Sequence, residues 1–499
     1  MELLSPAGNL EKLSYCYTYG ADAAYIGLKK FSLRIKADNF YEDEYKKIIE
    51  LKQRFPGRKL HCALNISFHN SEIDSFIKEI PYFKEYPIDA FIVQDLGIVP
   101  ILQKEFPNTA LHLSTQASCM NREAVKMYKK LGFSRVVMGR EASLAEVAEI
   151  KDAVPDMEIE CFVHGAMCIA YSGRCLMSAY LNGRSAQSGF CSHTCRWDYD
   201  LLAKNVHGLQ ENGRSYSDEA KLLAQSGDLY LREHKRSDEY FPVYEGDDFT
   251  AVLSSKDLCM IDHLADFKKA GVDSLKIEGR MKSVYYVAMI TRAYRKALDV
   301  LDGKISAEEA KPFVDELYKA SHRAFGTGFY YDKESADVTV TGASDSPFEL
   351  AATVGHELTD EEMNKVIGFG EFRNKSRKEK YDAMCDEAKK AWDLSAKEHP
   401  DKALPGIERK DGWKMFEINP LNLLNKDSDL ELVTPDIVGQ KMKFEEEYLY
   451  VNPETGEVYN WVCNGHPCVL YTKLPVTEGA LLRAKDPEYV PGQIRDNGR

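Results

Sequence analysis

Through roughly its first 300 residues the chain repeats one pattern: a short apolar run, a polar loop, then a stretch with apolar residues three and four apart. The apolar runs predict strands at 2–8 (ELLSPAG), 23–28 (AAYIGL), 60–67 (LHCALNIS) and 90–96 (AFIVQDL). They continue at 111–116 (LHLSTQ), 135–141 (RVVMGRE), 159–165 (IECFVHG) and 274–280 (SLKIEGR). Helical spacing falls between most of them, as in NREAVKMYKKLG and LAEVAEIKDAV. Eight strands alternating with helices predict an α/β fold, a TIM-like parallel (β/α)8 barrel; a doubly wound open sheet is the alternative.

In such a barrel the carboxyl ends of the strands carry the chemistry. Ser5, Asn65, Gln94, Asp95, Gln116, Arg140, Glu141, His164, Glu278 and Arg280 all fall there. Alternation along the seventh strand puts Glu158, Glu160, Phe162 and His164 on the inner side and Ile159, Cys161 and Val163 against helices. In the eighth, Lys276 and Glu278 point in. Val287, Thr291, Tyr294, Leu298 and Leu301 then form the stripe of a closing helix, capped by Ser283 and ended at Gly303. Its tyrosines read as core.

The pattern then changes twice. A polar excursion without period occupies about 203–229, and 356–411 is charged and helical in character. The run RNKSRKEK at 373–380 could touch phosphates, although a solvated helix face is the plainer reading. From 412 the texture is β, which predicts a small β-barrel, with FELAATVG at 348–355 supplying early strands. The expected domains are a barrel over 1–303 with a cysteine-rich segment at 158–200 and 259, a charged helical insertion over 304–411, and the β-barrel over 412–499.

A chain of 499 residues accommodates these domains, and a net charge of −14 argues weakly against a surface given over to nucleic acid while leaving room for a local basic groove. No apolar run is long enough to span a membrane, and MELLSPAGNLEK has no basic leader before an apolar core, so a cytoplasmic location is expected. Thiols stay reduced there, and clustered cysteines point to metal or redox chemistry. Cys168, Cys175, Cys191 and Cys195 are spaced C-x6-C-x15-C-x3-C, with Cys259 after 63 more residues. Zinc ribbons present tighter C-x2-4-C knuckles, so the wide spacing suits an iron–sulfur cluster better than zinc. Spacing does not choose four ligands from five.

The segments ECFVHGAMCIAYSGRCLMS, GFCSHTCRWDY, SSKDLC and LKIEGRMKS resemble the collagenase-like peptidase family of unassigned catalytic type. Its better understood members are oxygen-independent hydroxylases of tRNA wobble uridine, of a ribosomal RNA cytidine and of a ubiquinone precursor. The resemblance covers about 1–335 and returns over 412–485, where the tail is similar to that of the tRNA uridine 5-hydroxylases. It implies a 4Fe-4S cluster on Cys168, Cys175, Cys191 and Cys259, with Cys195 as alternate, and prephenate as hydroxyl donor in place of dioxygen. A tRNA substrate follows, and a homologous partner subunit stays open. The insertions near 203–229 and 356–411 depart from the family pattern.

Prephenate carries two carboxylates, which planar bidentate donors would hold; Arg34, Arg140, Arg174, Arg196 and Arg280 are candidates. Glu160, His164 and Glu278 are candidates for moving protons or orienting the donor. A peptidase is the rival activity, yet neither H-E-x-x-H nor G-x-S-x-G occurs, and a His164–Cys168 nucleophilic pair would leave the other cysteines unexplained. A non-enzymatic RNA-binding module with a structural metal is the third reading.

Overall fold

The computed structural model describes residues 1–33, 39–41, 43–168, 170–178, 230–231, 241–242, 244–245, 250–251, 255–331, 346–398 and 404–486. Two compact units divide it, Met1–Asp345 with Gly492–Arg499, and Ser346–Pro491. No helix among the described residues is long and apolar enough to cross a membrane.

In the first unit, β1 (Glu2–Pro6), β2 (Ala23–Ile26), β3 (Lys59–Leu64), β4 (Ala90–Val93), β5 (Ala110–Leu113), β6 (Arg135–Val137) and β7 (Glu158–Ala166) pair in sequence order. A short strand, β8 (Asp257–Cys259), precedes β9 (Ser274–Ile277). The last of these pairs with both β1 and β7, and every bond of the ring is parallel, so the eight strands close into the expected barrel. Helices α1 (Leu10–Thr18), α2 (Glu44–Arg54), α3 (Asn70–Glu85), α4 (Val99–Glu105), α5 (Arg122–Lys130), α6 (Leu144–Ala153), α7 (Leu264–Lys269) and α8 (Val284–Leu301) fill the crossovers and close the ring. The starts are specified locally: Ser143 and Glu146 make a reciprocal capping box for α6, and Ser283 accepts from Tyr286 N at the start of α8. Tyr285, Tyr286 and Tyr294 are buried, as core tyrosines should be.

Two departures from a plain barrel shape the site. Strand β7 outruns its neighbours, and its last residues pair antiparallel with β8, Ala166 opposite Asp257 and His164 opposite Cys259. A further strand, β10 (Phe325–Gly326), joins β8, and Arg323 clamps it by three bonds to the Asp257 carboxylate. Between β7 and β9 the register also shifts. Lys276 lies opposite Phe162 but Ile277 opposite His164, so Val163 is a bulge and the alternation reverses beyond it.

The second unit is an eight-stranded antiparallel sheet with β11 (Phe348–Glu357) at its centre, so 348–355 does supply a strand ahead of the charged insertion. Alternation gives the sheet two apolar faces. Phe416, Ile418, Tyr448, Tyr450 and Leu470 gather on one, and Met415, Leu449, Val451, Val469 and Tyr471 on the other. The curled sheet buries the first face within itself. The second receives α9 (Asp360–Asp382) through Val366 and Ile367. That approach is close: a Cβ on Gly370 would lie 2.4 Å from the Ile407 carbonyl oxygen. The insertion is thus part of the unit's core. Arg373 and Arg377 of its basic run are spent on Leu404 O and, for Arg373, Glu457, while Lys375, Lys378 and Lys380 face solvent.

Candidate active site at the barrel mouth

The interior of this barrel is charged at depth. Arg135, 2% exposed, donates to Glu2 at 2.5 Å, Glu158 at 2.9 Å and Glu160 at 2.9 Å. Ser274 donates to Glu2 and Glu160, and Lys276 Nζ to Glu160 Oε1 at 2.7 Å. Burial raises the Glu160 carboxyl, but the charges of Lys276 and Arg135 outweigh it and hold the group at about 2. Glu2, opposed in the same way by Arg135, also stands at about 2. His61 and His112 meet edge to face at 4.8 Å in this layer, and burial keeps His61 neutral down to about 4. Glu160 is therefore a fixed counter-ion beneath the mouth.

Above it a cavity opens at the strand ends. Its lining includes Tyr25, Asn65, Gln116, Arg140, Phe162, Cys168, Lys276, Glu278 and Arg280. Arg140 Nη2 donates to Glu278 Oε2 at 3.0 Å, and its guanidinium lies 4.0 Å over the Phe162 ring. Arg280, 3% exposed, donates to Ser32 Oγ at 2.8 Å. Its guanidinium runs so close to Gly27 that a Cβ there would stand 2.0 Å from Nη1. Lys276 lies 4.4 Å over Tyr25 and forms the floor. Among the described residues the lining thus sets three cations against one carboxylate, with Glu160 as a second below.

The stretch 170–178 closes onto the rim. Ser118 Oγ donates to Ser172 O, Ser172 N to Glu141 Oε1 at 2.7 Å, and Arg174 Nε to Ser118 Oγ at 3.3 Å. Gly173 has φ +73°, and a Cβ would fall 2.0 Å from Gln116 O, so only glycine fits. Arg174 is consequently an exposed rim residue and not a cavity residue.

The expected site residues separate as follows. Arg140, Glu278, Arg280 and Cys168 share the cavity. His164 does not, because the bulge at Val163 turns it to the helical shell. There it packs on Tyr286, Tyr294 and Phe325, with Nδ1 3.4 Å from the Tyr294 hydroxyl, and burial lowers it to about 3. It does not join Cys168 at the mouth. Cys259 also faces Tyr294, Sγ to hydroxyl 4.0 Å, and burial pushes its thiol up to about 11. Arg34, Cys191, Cys195 and Arg196 lie outside the described residues. Ser5, Gln94 and Asp95 serve structure, bonding Thr291, Ser67, and the amides of Phe68 and Gly97 respectively. Arg135, which strand-end reasoning passed over, and Lys276, which alternation pointed inward without a role, carry the positive charge of the interior. The signal was present as two cations inside otherwise apolar strands, RVV and SLKI.

Among the described residues no three metal-capable side chains converge. Cys168 and Cys175 are free thiols on the segment that leaves β7, and Cys259 is turned to the shell. The described residues alone therefore do not make a cluster site.

Comparison with known proteins places this geometry in context. The chain is 38% identical over 341 residues to tRNA hydroxylation protein P of Escherichia coli (strain K12), covering 66% of this chain and 74% of that one. Against tRNA hydroxylation protein P1 of Bacillus subtilis (strain 168) the identity is 38% over 333 residues, covering 66% and 70%. The 23S rRNA 5-hydroxycytidine C2501 synthase of E. coli is 34% identical over 362 residues, covering 71% of this chain and 48% of that one. The model of Peptidase family U32 matches residues 8–339, which contain every described residue of the cavity, and the chain belongs to that family.

Proposed function

We propose that this chain is an oxygen-independent RNA hydroxylase that forms 5-hydroxyuridine at the wobble position of tRNA, with prephenate as hydroxyl donor. The observation that carries the reading is the barrel mouth, where Arg140, Lys276 and Arg280 surround one cavity within the part of the chain matched by the family. Relatives named for tRNA hydroxylation support the substrate class. Two guanidiniums and an ammonium around a small cavity suit a dicarboxylate, which each guanidinium can grip by two parallel bonds. Phe162 and Tyr25, already stacked under cations, provide apolar walls for its ring. The target base has to leave the stack to reach the strand ends, as a nucleotide of a single-stranded anticodon loop can.

A 4Fe-4S cluster belongs to this proposal as a thiolate-held group on Cys168, Cys175, Cys191 and Cys259, with Cys195 as alternate. Such a cluster supplies one-electron redox chemistry when bound. Cys168 is the member that lines the cavity, Cys259 faces Tyr294, and no three metal-capable side chains among the described residues converge, so holding the cluster would require the other thiols to gather around Cys168. A peptidase reading gains nothing from the geometry, since His164 is buried against Tyr294 and away from the cavity.

The test is deletion of the gene, growth with and without oxygen, and mass spectrometry of tRNA nucleosides. Loss of 5-hydroxyuridine derivatives, restored by the intact gene and not by Cys168→Ala, is expected. Purified Cys168→Ala and Cys175→Ala proteins should also lose iron. Unchanged tRNA together with lost 5-hydroxycytidine in ribosomal RNA would replace the substrate, and full activity without iron would remove the cluster.

A further inference from the structure

Burial sorts the thiols that the mouth does not use. Cys16, Cys62, Cys119, Cys161 and Cys468 are buried, and lost solvation pushes each thiol up, Cys119 to about 11 and Cys62 and Cys468 to about 12. Such thiols are inert at neutral pH. Cys385 is exposed, at the start of the helix Asp386–Glu398. Cys463 is half-exposed, and its Sγ lies 3.1 Å from His466 Nδ1. A turn builds this pair. The strand Trp461–Val462 runs into Cys463, and His466 N donates to Cys463 O at 3.1 Å across Asn464 and Gly465. Gly465 has φ +88°, the left-handed value that the third residue of a type II turn requires. The first and fourth residues, Cys463 and His466, are thereby brought together. Pro467 favours an extended backbone at His466. The ring is held as well, since Trp461 meets it edge to face at 4.8 Å and Tyr459 does so at 6.2 Å. Among the described residues Nδ1 has no other hydrogen bond, and the other polar atom within reach of Sγ is Asn464 O at 3.6 Å.

We propose that Cys463 and His466 form a reactive thiol–imidazole pair, a modification site whose co-reactant is a peroxide. With the ring proton on Nε2, Nδ1 takes the proton of the thiol. The sulfur then attacks one peroxide oxygen. An S–O bond forms, the O–O bond breaks, and the proton held on Nδ1 passes to the departing oxygen. The sum is one thiol and one hydroperoxide giving one sulfenic acid and one alcohol, or water where the oxidant is hydrogen peroxide. Sulfur is oxidised by two electrons and the peroxide is reduced by two. A second thiol condenses with the sulfenic acid to a disulfide and water, from which Cys463 is recovered by thiol exchange. The pair lies in the second unit and outside the residues 8–339 matched by the family, so it stands or falls apart from the hydroxylase reading.

The test uses the purified, reduced full-length chain at pH 7. Iodoacetamide is pulsed, and alkylation of each cysteine is followed by peptide mass spectrometry, with glutathione in the same vessel as an ordinary exposed thiol. Such a thiol is only a few per cent thiolate at this pH, so capture of the proton by an imidazole can raise the rate about tenfold. Cys463 should therefore react roughly tenfold faster than glutathione, despite its partial burial. His466→Gln keeps a polar side chain and removes the base. It should slow Cys463 by a similar factor and leave Cys385 unchanged, with circular dichroism and tryptophan fluorescence as folding controls. With hydrogen peroxide and dimedone in place of iodoacetamide, the sulfenic acid adduct should form on Cys463 of the wild type and be lost in the variant. Cys463 reacting no faster than glutathione overturns the proposal. So does a rate indifferent to His466→Gln, or fast alkylation without a sulfenic acid adduct. The comparison with glutathione needs no variant and decides the matter even if His466→Gln fails to fold.

Discussion

Glu160→Gln is the sharpest test of the charged barrel floor. Glu160 is 0% exposed and accepts from Lys276, Arg135 and Ser274. Its carboxyl is held at about 2 against an ordinary 4.5, so at about 1.4 kcal/mol per factor of ten the ionised form is stabilised by roughly 3 kcal/mol. An independent route gives a similar figure. Removing one partner of a buried ion pair costs about 3–5 kcal/mol, because the remaining charge stays buried. Here two cations are left, with Glu2 and Glu158 still beside Arg135 but, among the described residues, no other carboxylate bonded to Lys276. A loss of about 3–4 kcal/mol is therefore expected at pH 7, a large share of the roughly 5–15 kcal/mol that holds a folded domain. Urea unfolding followed by far-ultraviolet circular dichroism reads it. Fluorescence reports mainly the other unit, which holds Trp392, Trp413 and Trp461 of the chain's four tryptophans. The sign with pH also follows. A lowered carboxyl contributes above its unfolded value and loses the contribution as pH falls towards 2, so the gap between wild type and variant should shrink below about 4.5. Glu160→Gln paired with Lys276→Met should recover part of the loss through their coupling. A single variant as stable as the wild type within about 0.5 kcal/mol would refute the reasoning, since that is the scatter of an ordinary surface change.

The buried pair His61 and His112 gives a separate acid limb. Its neighbours Glu2, Glu160, Arg135 and Lys276 keep their charges while both imidazoles stay neutral, His61 down to about 4. The unfolded chain takes up protons first, so stability should fall as pH drops from 6.5 towards 4, by roughly 2 kcal/mol at pH 5 from His61 alone; a flat thermal midpoint over that range would contradict it. Gly27→Ala should leave the barrel folded but displace Arg280, whose Nη1 occupies the space 2.0 Å from the new Cβ, and so weaken binding of a small dicarboxylate such as malonate several-fold by calorimetry; unaltered binding would show that Arg280 is not a ligand group. Gly370→Ala drives a methyl into Ile407 O at 2.4 Å and should destabilise the second unit by about 1–3 kcal/mol, seen as an earlier tryptophan fluorescence transition in urea.

Periodicity alone located all eight barrel strands, because short apolar runs between amphipathic helices leave few other ways to bury both kinds of face. It also located Arg140, Glu278 and Arg280 together, since strand ends converge whatever the loops do. His164 escaped it for a definite reason. Period-two alternation assumes an unbroken ladder, and one bulged residue at Val163 sends the next side chain to the opposite face. Arg174 escaped it because rim position depends on the turn at Gly173, a tertiary contact with Gln116. The charged segment read as an insertion of its own because its hydrophobic side is small, little more than Val366, Ile367 and Gly370, yet those residues suffice against a sheet with a second apolar face.

The antiparallel pairing of Ala166 with Asp257 sets a boundary condition on evolution and on engineering. Paired residues of such a ladder have Cα atoms roughly 5 Å apart, so the chain departs after 166 and returns at 257 through a single gate. Residues 172–174 fasten the outgoing chain to the rim at Ser118, Glu141 and Gln116, and doubling the length of the connection beyond them adds only about 0.6 kcal/mol of closure entropy. The ring of strands thus closes without regard to the length of the connection beyond 178, which can be lengthened or shortened while the cations at the mouth stay in register.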